Sequence, residues 1–163
     1  MKILRIVLLA LGGSLFANEI QCHSPVPMLE QAVNEVKVAL KGVCKADPSR
    51  ESVESTISEV FLPYVDVPLI TKQILGRRYW QESNLEERQE LEGLVKRLMS
   101  KQYAAAFSCD QLNNDMTFSP MRGELKKYTR VESRVEIAGK EEPITLRYAV
   151  RCVGENWRIY DMV

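Results

Sequence analysis

The stretch Arg130-Val131-Glu132-Ser133-Arg134-Val135-Glu136-Ile137 alternates charged and apolar side chains, with only Ser133 departing from the pattern. A period of two predicts a β-strand with one packed and one solvated face. The alternation returns over 144–152, and a third strand is predicted to begin at Trp157, after the turn at 154–156. Because the connecting turns are short, we expect an antiparallel sheet.

The residues before this sheet follow a helical period instead. A first helix is predicted from Leu29 to Val43, and a second from Asp47 as its cap and Pro48 as its first residue, ending at Pro63. A short third helix, capped by Asp66 or its neighbours, is predicted to close at Gly76. The apolar positions of the first two helices recur every three or four residues, at Leu29, Ala32, Val33, Val36, Leu40, Val43, Val53, Ile57, Val60 and Phe61.

A fourth helix is predicted to begin after Asn84, which stands three residues before Glu87 in a capping-box arrangement. One face of this helix is predicted to pack, with Leu91, Leu94, Val95, Leu98, Gln102, Tyr103, Ala106 and Phe107. Helices followed by strands predict an α+β domain, in which N-terminal helices pack on a twisted antiparallel sheet.

Length and charge limit the classes of function. At 163 residues the chain fits one domain, and its 22 basic and 22 acidic residues provide no basic field for nucleic acid. Residues 1–17 have a basic start, an apolar stretch and a small residue, Ala17, at the expected cleavage point, which is typical of a secretory signal peptide. The domain is therefore predicted to span 18–163 in an exported protein.

The four cysteines are predicted to form disulfides. Cys22, Cys44, Cys109 and Cys152 all follow the signal peptide, and an even number in an exported chain suggests bridges. Three pairings are open, and we favour Cys22 with Cys44 and Cys109 with Cys152. Zinc is the competing interpretation, but the chain has no Cys-x-x-Cys and a single histidine, so we expect no metal site and no cofactor.

Several short stretches resemble one family. They are Leu62-Pro63-Tyr64-Val65, Leu75-Gly76, Gln102-Tyr103 and Trp157 followed by Tyr160-Asp161-Met162. In order and spacing they are similar to the MlaC or toluene-tolerance family of periplasmic phospholipid-binding proteins. In that family the last strand continues into a Glu-Gly-x-Ser turn and a terminal helix, so this chain, ending at Val163, is expected to be truncated relative to the family.

The resemblance implies a cone-like domain with an apolar cavity between the sheet and the helices. The lipid-binding residues that it implies are Val65, Leu69, Ile70, Ile74, Tyr79, Leu98, Tyr103, Val131, Val135, Leu146, Tyr148, Val150 and Trp157. Taken singly, the positions of the sheet face and of the facing helices are favoured as packed core, and the prediction of a cavity depends on the whole set. It further implies a monomeric periplasmic carrier that exchanges phospholipid with an inner-membrane ABC transporter complex and an outer-membrane lipoprotein complex.

Two other functions compete with the carrier. One is a truncated family member that acts as an adaptor without lipid cargo. The other is a cone-fold enzyme, but the predicted inward face offers no Ser-His-Asp set and no histidine, so no catalytic residues are predicted.

Overall fold

The structure is a computed structural model that describes residues 22–107, 109, 112–119, 125–137, 139 and 141–163. The predicted signal peptide lies outside these residues. In the described part, four α-helices precede four strands: α1 Val26–Ala46, α2 Arg50–Thr56, α3 Val67–Glu82, α4 Leu85–Ala106, β1 Asp115–Phe118, β2 Tyr128–Glu136, β3 Ile144–Val153 and β4 Asn156–Met162. The predicted α+β class is confirmed.

The strands form one antiparallel sheet in the order β1-β2-β3-β4. Val131 of β2 is opposite Tyr148 of β3, and Val150 of β3 is opposite Ile159 of β4. The three predicted strands are present. β1 was not predicted, because its four residues are too few to display an alternation.

The hydrophobic core lies between one face of the sheet and the helices α1, α2 and α4. A π-helical turn, Ile57–Phe61, and a 3₁₀ turn, Leu62–Tyr64, continue α2 into this core. Its most deeply buried apolar side chains come from both layers: Leu29, Val36, Leu40, Ile57, Val131, Val150 and Ile159.

The predicted start of the second helix is wrong. Ser49, and not Asp47, caps α2, because its hydroxyl accepts the N–H of Ser52. Asp47 instead accepts hydrogen bonds from the N–H and hydroxyl of Ser49. Because the helix begins at Arg50, Pro48 lies before it. The helical segment through Leu69 and Ile74 ends at the non-helical Gly76, as predicted, and a second segment, which was not predicted, continues α3 to Glu82.

The fourth helix begins as predicted, since Asn84 and Glu87 form a complete capping box. Its predicted packed face is wrong at three positions, because Leu94, Leu98 and Gln102 are exposed. Leu94 and Leu98 are 48% and 63% exposed, whereas Val95 and Met99 are buried. The face that packs is centred on Val95 and Met99, so Leu94 and Leu98 lie beyond its edge.

The favoured disulfide pairing is also wrong. The structure bridges Cys22 to Cys152 and Cys44 to Cys109. Cys22 and Cys44 stand at opposite ends of α1, whose 21 residues span roughly 30 Å. A disulfide needs Cα atoms no more than about 7 Å apart. The first helix therefore excludes the predicted pair.

Candidate functional site

A hollow of about 550 Å³ lies between α3 and the sheet. Its lining residues are Leu69, Lys72, Gln73, Gly76, Arg77, Trp80, Gln81, Tyr128 and Arg151. Tyr128 of β2 pairs with Arg151 of β3, and the next residue back along β3, Val150, is fully buried in the core. Successive strand residues point to opposite faces. The hollow and the core are therefore on opposite faces of the sheet.

The first turn of α3 is attached to the sheet through Asp66. Val65 forms a parallel bridge with Ile159, and the N–H of Asp66 donates to the carbonyl oxygen of Ile159 at 2.7 Å. The Asp66 carboxylate accepts the N–H of Leu69 at 3.1 Å, which caps α3, and it also pairs with the guanidinium of Arg151. One buried carboxylate thus fixes both the helix and a cation that lines the hollow.

Arg151 stays charged in this environment. Burial acts to lower the pKa of Arg151, but the Tyr128 hydroxyl and the Asp66 carboxylate together raise it above its ordinary value. Its Nε atom is buried and has no hydrogen-bond partner among the described residues. The hollow is therefore bordered by a permanent positive charge with an unsatisfied donor.

Trp80 forms an aromatic part of the wall and is held by cations. The guanidinium carbon of Arg88 lies 4.3 Å from the Trp80 ring centroid, and the Lys72 ammonium lies 5.6 Å from it. Arg88 also donates to the Ser83 hydroxyl at 3.0 Å and to the Ser83 carbonyl at 2.8 Å. Arg88 therefore ties the Trp80 ring to the turn between α3 and α4.

The break in α3 lies in the wall of the hollow. Gly76 has φ 71° and ψ 169°, a conformation that is essentially confined to glycine. A Cβ atom added there would meet nothing within 4 Å. Glycine is therefore required by the backbone conformation and not by lack of space.

A second hollow, of about 300 Å³, lies between α3 and α4 and differs in charge. It is lined by Leu75, Tyr79, Glu82, Ser83, Glu87 and Leu91. These include two carboxylates and no cation, whereas the residues lining the larger hollow include three cations and no carboxylate. An anionic group would therefore favour the larger hollow.

The family model described as MlaC protein matches residues 30–163. The chain belongs to the MlaC family. Its structure is similar to that of the phospholipid-binding protein from Ralstonia solanacearum, which was solved in complex with a phospholipid, with a TM-score of 0.71 and 24% identity. The match covers 86% of this chain and 77% of that chain. At this identity the match shows a shared fold. No curated protein matches the chain significantly.

In this MlaC-family chain, the residues predicted to bind lipid fall into three groups. Five are buried in the core: Val65, Val131, Tyr148, Val150 and Trp157. Five are half-buried: Leu69, Ile70, Tyr103, Val135 and Leu146. Three are largely exposed, namely Ile74, Tyr79 and Leu98. Of the thirteen, Leu69 is the one that lines the larger hollow. As lipid contacts they stay predictions.

The predicted inward face of the sheet is filled by its own side chains around Tyr148. The Tyr148 hydroxyl lies 3.1 Å from the Ser133 hydroxyl and contacts the sulfur of Met116, and the Tyr148 ring lies 5.7 Å from that of Phe118. Burial raises the pKa of Tyr148, so its hydroxyl stays protonated at neutral pH. On this face the structure shows packed core around Tyr148.

Sequence reasoning missed most of the wall of the hollow in this MlaC-family chain. Lys72, Gln73, Arg77, Tyr128 and Arg151 line the hollow but are not among the residues predicted to bind lipid. Arg151 occupies one of the outward-facing positions in the alternating pattern of β3, so the sequence predicts that its side chain is exposed to solvent. The signal that could have found it is Asp66, an acidic residue between apolar neighbours that needs a partner when buried.

None of the helices in the described residues is both long and apolar enough to cross a bilayer. Across those same residues, no group of three or more His, Cys, Asp or Glu is arranged to hold a metal ion.

Proposed function

We propose that this protein is a periplasmic carrier that binds phospholipid and passes it between an inner-membrane ABC transporter complex and an outer-membrane lipoprotein complex, so maintaining the lipid asymmetry of the outer membrane. Membership of the MlaC family and the fold shared with a phospholipid-binding protein support this proposal. We further propose that it acts as a monomer and by binding, without catalysis.

The observation that carries the proposal for this chain is the hollow beside α3. Its volume, about 550 Å³, is in the range of small-molecule sites, roughly 300–1,000 Å³. Leu69, Trp80 and Tyr128 offer apolar and aromatic surface, and Lys72 and Arg151 place positive charge at the same site. Apolar walls beside fixed cations match the chemistry of a phospholipid, with acyl chains next to a phosphate.

The expected binding energy is sufficient for a carrier. Each buried methylene contributes about 0.8 kcal/mol, so an acyl chain that buries about ten of them would gain about 8 kcal/mol. That gain corresponds to a Kd of about 1 μM. A phosphate that reached the unsatisfied Arg151 donor would add a charge-assisted hydrogen bond.

Lipid extraction tests the proposal directly. The protein is exported with its own signal, purified with its disulfides intact, and extracted for lipid analysis by mass spectrometry. We expect phospholipid at a near-equal molar ratio. Well-folded protein without phospholipid would contradict the carrier function and favour an adaptor without cargo.

Blocking the hollow tests where the lipid binds. Gln73 is an exposed lining residue, so Gln73→Trp should place a large side chain in the hollow without disturbing the core. If the added side chain costs about 1.4 kcal/mol of binding free energy through overpacking, the affinity for lipid falls about tenfold. Gln31→Trp, on the exposed surface of α1, is the matched control and should retain lipid.

If Gln73→Trp carries as much lipid as the control, the hollow is not the site. The binding surface would then return to the core-facing residues predicted from sequence, with Val131 and Tyr148 at their centre.

A further inference from the structure

The charged side chains of α3 are all positive as far as Gln81. From Val67 to Gln81 the chain has three cations, Lys72, Arg77 and Arg78, and no carboxylate, although basic and acidic residues are equal in number over the whole sequence. The first acidic residue, Glu82, lies 3.1 Å from Arg78, but both side chains are largely exposed, at 59% and 79%. An exposed pair of this kind neutralises little of the field.

The carboxylates of the neighbouring elements do not line the larger hollow, whose lining, among the described residues, includes Lys72, Arg77 and Arg151 and no carboxylate. Asp66, at the start of α3, is buried and paired with Arg151. Glu87 of α4 is engaged with the backbone N–H of Asn84 in the capping box, beside the smaller hollow. On the α4 side, Glu86 and Glu90 are exposed and Glu82 and Glu87 line the smaller hollow. The positive charge of α3 is therefore concentrated at the larger hollow, where Lys72 and Arg77 lie.

Large apolar side chains are exposed among these cations. Ile74 is 59% exposed and Tyr79 is 60% exposed, and the Arg78 guanidinium carbon lies 5.8 Å from the Tyr79 ring centroid. Isolated exposed apolar residues are ordinary on soluble proteins. Exposed apolar side chains beside Arg and Lys offer both the apolar contact and the positive charge that an anionic lipid surface attracts.

We propose that α3 docks the protein onto an anionic phospholipid bilayer, which brings the larger hollow to the membrane surface. The charge complementarity with anionic headgroups identifies the bilayer as the partner. Ile74 and Tyr79 would insert at the headgroup level, and Lys72, Arg77 and Arg78 would contact phosphates. This inference extends the proposed function, but docking is measured separately from lipid carriage.

The test is vesicle sedimentation of the full, oxidised protein. We compare vesicles of phosphatidylglycerol and phosphatidylcholine in equal parts with vesicles of phosphatidylcholine alone, at low and high salt. Binding to the anionic vesicles, weakened by salt, is expected. No sedimentation with the anionic vesicles at low salt would overturn the proposal.

Arg78→Glu is the diagnostic variant, because Arg78 is exposed and does not line the larger hollow. Each cation near an anionic surface contributes about 1 kcal/mol, so reversing one charge should weaken binding roughly 30-fold. Lys41→Glu makes the same charge change on the exposed surface of α1 and should weaken binding much less than Arg78→Glu, through net charge alone. Arg78→Lys should retain binding.

Equal losses in the Arg78→Glu and Lys41→Glu variants would overturn the role of α3, since net charge alone would then explain the binding. Lipid content is measured on the same samples. If the protein carries phospholipid but does not sediment with vesicles, the result contradicts the docking proposal only. Protein that binds vesicles but contains no phospholipid contradicts the carrier function only.

Discussion

Removing the disulfide between Cys22 and Cys152, by changing both residues to alanine, should lower the free energy of unfolding by about 4 kcal/mol. A bridge stabilises mainly by restricting the unfolded chain, and the restriction grows with the loop that it closes. The two cysteines are 130 residues apart, which in isolation would give about 5 kcal/mol.

The inner bridge reduces that figure. Cys44 and Cys109, 65 residues apart, lie within the outer loop and shorten the path between Cys22 and Cys152. Subtracting 65 from 130 leaves an effective loop of 65 residues, for which the same relation gives about 4 kcal/mol.

The measurement is denaturant unfolding followed by circular dichroism, with the free energy taken from linear extrapolation. Removing the Cys44–Cys109 bridge instead, also by alanine, should give a similar loss, because its loop is of the same size. A Cys22→Ala, Cys152→Ala variant that unfolds at the same denaturant concentration as the parent would refute the reasoning.

The pairing itself is checked by a tryptic digest without reduction. Lys41 lies between Cys22 and Cys44, and Lys126 lies between Cys109 and Cys152, so the alternative pairings link different peptides. We expect the peptide that contains Cys22 to be linked to the one that contains Cys152. A link from Cys22 to Cys44 would contradict the structure.

Three further predictions concern local structure. Gly76→Ala should destabilise the protein by about 1–3 kcal/mol, because the backbone at Gly76 has a positive φ. As its control, Gly42→Ala, at an uncrowded position in α1, should stabilise the protein by about 0.4–1 kcal/mol. The denaturant concentration at the unfolding midpoint measures both effects. Asn84→Ala removes the cap of α4 and should cost about 1 kcal/mol, again read from unfolding. Burial and the hydrogen bond to Glu35 raise the pKa of Tyr64 to about 12, so its contribution to stability is present below the unfolded pKa of about 10 and is lost as pH rises towards 12. A Tyr64→Phe variant should lack that alkaline loss, and phenolate absorbance during titration should locate the ionisation.

Features that depend on neighbours along the chain could be predicted from the sequence. The alternation at 130–137 became β2, and Asn84 and Glu87 formed the capping box, because each signal lies within one element. Asp66 likewise caps α3 as expected. Local hydrogen bonding and side-chain period are enough to determine such features.

Features that depend on how elements meet could not be predicted in the same way. The ion pair of Asp66 and Arg151 depends on the register between β3 and β4 and on the position of α3. The local sequence pattern determines neither of them. The outward alternation of β3 predicts a solvated Arg151, but α3 covers that face. The sequence could have excluded the favoured disulfide pairing, since the length of the first helix separates Cys22 from Cys44, but it leaves the other two pairings open.

The two disulfides have a mechanical consequence for the first helix. Cys22 precedes α1 and is joined to β3, and Cys44 in its last turn is joined to the segment after α4. With both ends anchored covalently, α1 can neither slide along the sheet nor swing away from it. In contrast, α3 contains no cysteine and is interrupted at Gly76. Because Asp66 holds the first turn of α3 to the sheet, we expect the part of α3 after Gly76, beside the larger hollow, to shift more readily than α1.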